Sequence, residues 1–189
     1  STNVVWDSDV NPEGVWAVYK CPIKPIQPFA GAGWFQTDEN TTTHNATLAA
    51  YQGGVIVHLN EDTKWTTAGT WYDFIRYETT YDRAGGNTEF VGPPKRLLAE
   101  EFDVVNVTSK LSAKAWSVPV GVWVDWAHNT KNALKDGTED AYGVGVKLGQ
   151  NKEKGDLSVA YKYAYIEANA SPGAFNDADF GHSNSRGHQ

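Results

Sequence analysis

The side chains able to do chemistry in this 189-residue chain are five histidines, one cysteine and a surplus of carboxylates, and their spacing decides what chemistry is open to them. His44, His58, His128, His182 and His188 are dispersed, so no pair sets up the convergent geometry that a metal or a general base needs. Asp177 and Asp179, with Asn176 beside them, offer carboxylate oxygens to a divalent cation. Their spacing matches no calcium-loop template, and a solvated loop is the preferred reading. Gly143, Gly145 and Gly149 are not a phosphate loop, because no helix follows them. Cys21 has no catalytic partner nearby and reads as a turn residue. Four Asn-X-Ser/Thr sequons, at Asn40, Asn45, Asn106 and Asn169, are what a chain rich in Asn and Thr produces by chance. No catalytic residue, metal or cofactor is expected. What remains are charges at one parity of alternating segments: His58, Arg76, Lys110, Asp125, Lys147, Asp156 and Lys162. Charges on one face of a wall can line an aqueous passage and set its selectivity. For any single one the plainer reading is a solvated residue with no role in a constriction.

The elements that must carry those charges are strands. In 142–149, Tyr142, Val144, Val146 and Leu148 share one face, and Gly143, Gly145, Lys147 and Gly149 the other. In 156–165, Leu157, Val159, Tyr161, Tyr163 and Tyr165 alternate with Asp156, Ser158, Ala160, Lys162 and Ala164. A period of two sends successive side chains to opposite faces of a strand. A face of Gly and Lys makes a poor core, whereas an apolar face backed by a wet lumen is the pattern of a membrane barrel. The segment 116–128 places Trp116, Val118, Val120, Val122, Val124 and Trp126 at one parity. Ten residues at about 3.3 Å each, tilted about 40°, span roughly 25 Å, the expected height of an apolar band between aromatic girdles. Against this, Pro119 cannot donate to a ladder. The segment 46–59 repeats the alternation, with Tyr51 to Leu59 outward and Gln52, Gly54, Ile56 and His58 inward. In 64–78, Asp73 shares the parity of Trp65 and Trp71 while Phe74 does not, and a bulge could reset the register.

Eight strands are expected, at 13–20, 26–36, 46–59, 64–78, 102–113, 116–128, 140–150 and 155–168. Their connections alternate between short (21–25, 60–63, 114–115, 150–154) and long (37–45, 79–101, 129–139), with a longer tail after the last strand. Short turns on one side and long loops on the other is the layout of an outer-membrane barrel. Greek-key sandwiches do not sort loop lengths so regularly. The expected fold is all-β, an antiparallel up-and-down transmembrane barrel in which 1–189 is one segment.

Composition narrows the function classes. No run approaches the roughly 20 apolar residues of a spanning helix. A net charge of −7 and a pI near 5.1 argue against nucleic acid as a partner. One cysteine rules out an internal disulfide framework. No basic and apolar leader opens the chain.

The segments Asp140–Gly149, Lys154-Gly-Asp-Leu157, Tyr161–Ala170, Gly173–Gly181 and Ser185-Arg-Gly-His188 resemble the "putative porin" family of Gram-negative outer membranes. The resemblance is strongest over 120–189 and collinear from about 10 onward. Asp177-Ala-Asp-Phe180 stands where the family carries Asp-Ser-Asp-Phe, and the chain stops at Gln189 where the family opens a further strand. The resemblance implies part of a larger barrel lacking its terminal strand. It further implies an outer-membrane location, contact with lipid, passive diffusion of small hydrophilic solutes or ions, and a homo-oligomer, a trimer by analogy. Trp116, Trp126, Tyr142, Tyr161, Tyr163 and Tyr165 would form the aromatic girdles. Two other readings stand beside this one. One is a structural barrel presenting its long loops. The other is a soluble Trp-rich sandwich that stacks carbohydrate on one concave aromatic face.

Overall fold

The structure, a computed structural model, describes residues 4–5, 12–38, 46–77, 87, 89–92, 95–98, 101–131, 137–176 and 184–188. Their strands are β1 (Glu13–Lys20), β2 (Ile26–Asp38), β3 (Ala46–His58), β4 (Lys64–Ile75), β5 (Glu89–Gly92), β6 (Lys95–Leu98), β7 (Phe102–Ala115), β8 (Val118–Asn129), β9 (Asp140–Gly149), β10 (Ser158–Ile166) and β11 (Ser185–His188). Nine of them form a single antiparallel sheet in the order β1-β2-β3-β4-β7-β8-β9-β10-β11, and β5 and β6 pair as a separate hairpin. The fold is therefore all-β and up-and-down, as expected. Among the described residues the nine strands share one sheet and are not divided between two facing sheets as a sandwich's are. The sheet is open, consistent with part of a barrel: β1 and β11 each keep one unpaired edge among the described residues. All eight anticipated strands are present, and β11 adds a ninth to the wall, pairing Ser185–His188 with Ile166–Tyr163.

The pairing register follows the alternation because a slip of one residue would exchange the two faces. No bulge interrupts β4: it pairs continuously with β3 and with β7. The expected reset is therefore absent, and Asp73 does stand on the face of Trp65 and Trp71. It pairs directly with Asp103 at the strand end, where both carboxylates approach Lys131 Nζ, at 4.0 and 3.9 Å. The shared cation, not a bulge, accommodates the parity. The irregularity falls instead between Gln36 and Asp38.

Trp116 is a second correction. It lies in the two-residue turn joining β7 to β8, with positive φ at both Trp116 (47°) and Ser117 (74°). That is the backbone of a tight hairpin turn whose twist suits its flanking strands. The apolar stripe on β8 thus runs from Val118 to Trp126, about 20 Å along the normal rather than 25 Å. Leu157 likewise lies in the β9–β10 turn, 79% exposed.

The convex face is apolar and exposed through its middle, with Val122, Val124, Val144, Leu148 and Val159 all open. The concave face holds the buried cluster. Leu48, Phe74, Tyr77, Phe102, Val104, Ile166 and Phe175 pack together with Val4 and Val5, and every strand position among them lies at the long-loop end. Burying each large side chain contributes about 1.5–3 kcal/mol.

Candidate functional site

Because the register is continuous from β3 to β10, the inner wall can be read as rows of directly paired residues. Nearest the short turns, His58, Lys64, Ser112, Gly121, Lys147 and Ala160 form one row. The next row is Ile56, Thr66, Lys110, Trp123, Gly145 and Lys162. Above it come Gly54, Ala68, Thr108, Asp125, Gly143 and Ala164. Higher still, Gln52, Thr70, Asn106, Ala127, Ala141 and Ile166 are followed by Tyr72 with Val104, and by Phe74 with Phe102. From the turns to the loops, the wall passes from cationic and small, through amide and carboxylate, to aromatic.

Toward the loops the inner wall is therefore apolar, unlike the small and charged face read from 142–165. At the loop end, Phe175 reaches back onto the wall, its ring stacked on Phe74 at 5.9 Å and tilted against Tyr77 at 5.4 Å. Tyr77 meets Phe102 edge-on at 6.0 Å. Offset and edge-to-face pairs of this kind add to the burial energy. Buried asparagines tie the loops down. Asn87 Nδ2 donates to the carbonyls of Ala168 (2.6 Å) and Ser171 (2.8 Å), and its Oδ1 accepts from the Gly173 N–H at 2.7 Å. Asn129 Nδ2 donates to the carbonyls of Glu101 and Asn169, both at 3.0 Å. Sequence reasoning missed these ties: an Asn in a long loop carries no local sign that its amide will cap distant carbonyls. Asn106 and Asn169, two of the four sequon residues, are fully buried, whereas Asn40 and Asn45 lie outside the described residues. A recess of about 270 Å³ opens on the inner face beside this cluster, bordered by Trp16, Phe35, Leu48, Gln52, Thr70 and Tyr72. Gln52 Nε2 donates to Thr70 Oγ1 there at 3.0 Å.

Of the charges singled out above, His58, Lys110, Asp125, Lys147 and Lys162 stand on the inner face. His58 Nε2 pairs with Gln27 Oε1 at 2.7 Å. Asp125 Oδ1 accepts from Asn106 Nδ2 at 2.6 Å and is attracted to Lys162. Two do not belong to a strand. Arg76 follows β4 with φ 60°, so the left-handed backbone ends its parity with the strand. Asp156 sits in the β9–β10 turn, where its Oδ2 accepts from the backbone N–H of Lys152 (3.0 Å) and of Glu153 (3.1 Å). Those two donors, Lys152 first, hold its carboxyl below the ordinary carboxylate value. Its role in the structure is to clasp the turn. Asp177 and Asp179 lie outside the described residues, and no cluster of metal-ligating side chains occurs among the described ones.

On the convex face the aromatics form two levels. Trp65 and Tyr161 share a row toward the turns, with Trp116 beyond them on its turn. Trp126, Tyr142 and Tyr165 share a row toward the loops, and Tyr163 stands between the levels. Their polar atoms find local partners. Trp65 Nε1 donates to Ser109 Oγ at 2.7 Å, Trp71 Nε1 donates to Asp103, and Trp126 Nε1 donates to Asp140 Oδ1 at 3.2 Å. Tyr142 stacks on Tyr165 with centroids 5.2 Å apart. Rings with an apolar body and a satisfied polar tip suit a boundary between hydrocarbon and water. Among the described residues, no helix is long and apolar enough to cross a membrane, which leaves open crossing by strands.

Residues 1–90 match the family model described as "Putative porin". No curated protein and no solved structure matches the chain. The match supports assignment to that family and, with it, a porin-like role of the channel or structural kind. It covers the half of the chain opposite to 120–189, where the sequence resemblance is strongest, so the two rest on different residues.

Proposed function

We propose, from the porin assignment that the match over residues 1–90 supports, that the chain forms part of the wall of an outer-membrane channel for passive diffusion of small hydrophilic solutes or ions. The observation that carries this reading is the two-faced sheet. Its convex face is apolar and exposed between two aromatic levels. Its concave face toward the turns sets lysines among glycines and hydroxyls, with His58, Ile56, Trp123 and Ala160 between them. Small and charged residues on a concave wall leave room for water and hold it there, while lipid covers the other side. The same placement makes Trp65, Tyr161 and Trp116 the girdle at one interface and Trp126, Tyr142 and Tyr165 that at the other, with Tyr163 in the band between them. The reading includes no catalysis and no cofactor. Association as a homo-oligomer, a trimer by analogy, also belongs to it.

A second reading has its own support. The aromatic cluster of Phe74, Tyr77, Phe102 and Phe175 occupies the loop end of the concave face, as a structural barrel with a filled interior would require. Single-channel recording in planar bilayers separates the two. Stepwise conductance proportional to salt is the outcome expected of a channel. Stable insertion without current would instead establish the structural barrel, and failure to insert would remove both.

A further inference from the structure

We infer that the turn-end half of the inner wall is an anion filter, admitting chloride, phosphate and small carboxylates and turning back cations; this deepens the channel reading and rests on it. The two rows nearest the turns carry Lys64 and Lys147, then Lys110 and Lys162, with no carboxylate in either row. Lys20, the last residue of β1, and Lys114, the last but one of β7, stand on the same face toward the turns. On the wall from β3 to β10 the one carboxylate of the concave face is Asp125, a row higher, and it is engaged by Asn106. This is the reverse of the chain as a whole, whose net charge is −7. Its strand carboxylates Asp73, Asp103 and Asp140 stand on the other face at the loop-end rim. Those of the short turns, such as Glu61, Asp62 and Glu153, lie past the strand ends, among Lys24, Lys152 and Lys154.

The lysines are also brought toward one another. Lys110 leans over Gly121, its Cε 3.9 Å from where a Cβ would stand, and Gly121 is the residue paired with Lys147. Trp123 stands between Lys110 and Lys162 in its row, and its ring is laid over Gly145, where any Cβ would collide with it. Lys110 therefore flanks an apolar ring and bare glycine backbone, whereas Lys162 is buried and attracted to Asp125. Adjacent rows are about 7 Å apart along the strands. That is within the Debye length of about 10 Å at 0.1 M salt, and beyond the roughly 3 Å at 1 M. At low salt the rows act as one positive field that concentrates anions against a low-dielectric wall.

The test is the reversal potential of the full chain in a planar bilayer under a tenfold KCl gradient. Chloride is expected to permeate several-fold faster than potassium near 0.1 M, with the ratio falling toward unity near 1 M as screening shortens the field. Inorganic phosphate added to one side should reduce the chloride current. Replacing the exposed lysines together (Lys64→Gln, Lys110→Gln, Lys147→Gln) should abolish the preference, and Lys110→Gln or Lys147→Gln alone should lower it about twofold. Lys131→Gln, on the loop-end rim, should leave it unchanged. An unmodified channel that prefers potassium, or one whose chloride preference survives the triple replacement, would overturn the filter while the channel stands. Absence of any current would overturn the channel reading itself. The single variants keep the inference testable should the triple variant not insert.

Discussion

The two ends of the concave face are made from the same strands under the same alternation, yet they have become different materials. Toward the loops, inward positions hold Leu48, Phe74, Phe102 and Val104, covered by Val4, Val5 and Phe175. Toward the turns, Lys64, Lys110 and Lys147 stay exposed, while Lys162 is buried and Gly145 lies under the Trp123 ring. The comparison teaches that a period of two fixes which side a residue faces and nothing about what covers it. Cover comes from the loops, and the loops are long at one end only. The short turns, with 116–117 the tightest, cannot fold back far enough to seal their end. An inward lysine there is cheap to keep, whereas at the loop end it would be buried without a partner.

The sharpest way to break the comparison is to truncate one inward residue at each end. Phe102→Ala should cost about 3–5 kcal/mol, the range for emptying a buried aromatic site. Lys110→Ala should stay within about 0.5 kcal/mol, as for a solvated position. Urea unfolding in detergent micelles, read by Trp fluorescence, measures both. Equal losses would mean that the two ends do not differ in packing. An intermediate effect is expected at Gly145→Ala, where the new methyl must displace the Trp123 ring, at about 1–3 kcal/mol. Adding Trp123→Ala should recover much of that loss, and additivity in the double variant would show that the ring does not rest there. Smaller again is Trp65→Phe on the convex side. It removes the hydrogen bond to Ser109, for about 0.5–1.5 kcal/mol.

The smallest effect belongs to Asp156. Its folded carboxyl is held below the ordinary value by the Lys152 and Glu153 amides. Its contribution is therefore complete above the unfolded carboxylate pKa and fades as pH falls through the lowered folded one. Protection of those two amides, relative to the intrinsic exchange rate at each pH, should fall in acid and be low at all pH values in Asp156→Asn, with the loop end unaffected. Exchange that ignores both changes would remove the clasp.

Most of the wall was legible in the residues. Tyr142 to Leu148 and Val118 to Trp126 declare their faces by alternation, and the sorted turn lengths declare the up-and-down order. The inward placement of Lys147, Lys162, Lys110, Asp125 and His58 follows from parity alone. Parity misleads where a strand has already ended. Asp156 shares the phase of Lys162 but lies in a turn, and Arg76 turns left-handed one residue past β4. The loop-end packing was illegible for another reason. Phe175 meets Phe74, about a hundred residues away, only because buried asparagines such as Asn87 hold the intervening loops in place. No local pattern encodes a contact of that range.

Strand order also has an entropic consequence. Every neighbouring pair in the nine-stranded sheet is consecutive along the wall and joined by its own connection, but the link from β4 to β7 must span residues 76–101 and the β5–β6 hairpin within it. Loop-closure entropy grows with length, by about 0.6 kcal/mol per doubling, so the two-residue β7–β8 turn closes cheaply and the β4–β7 seam does not. By length of connection, β4–β7 is the costliest pairing of the wall to close, ahead of β10–β11 across 167–184. Trp65 with Ser109, Trp71 with Asp103, Phe74 with Phe102 and Tyr77 with Phe102 all lie across the β4–β7 pairing. The side-chain contacts across that pairing offset the closure entropy of its long connection.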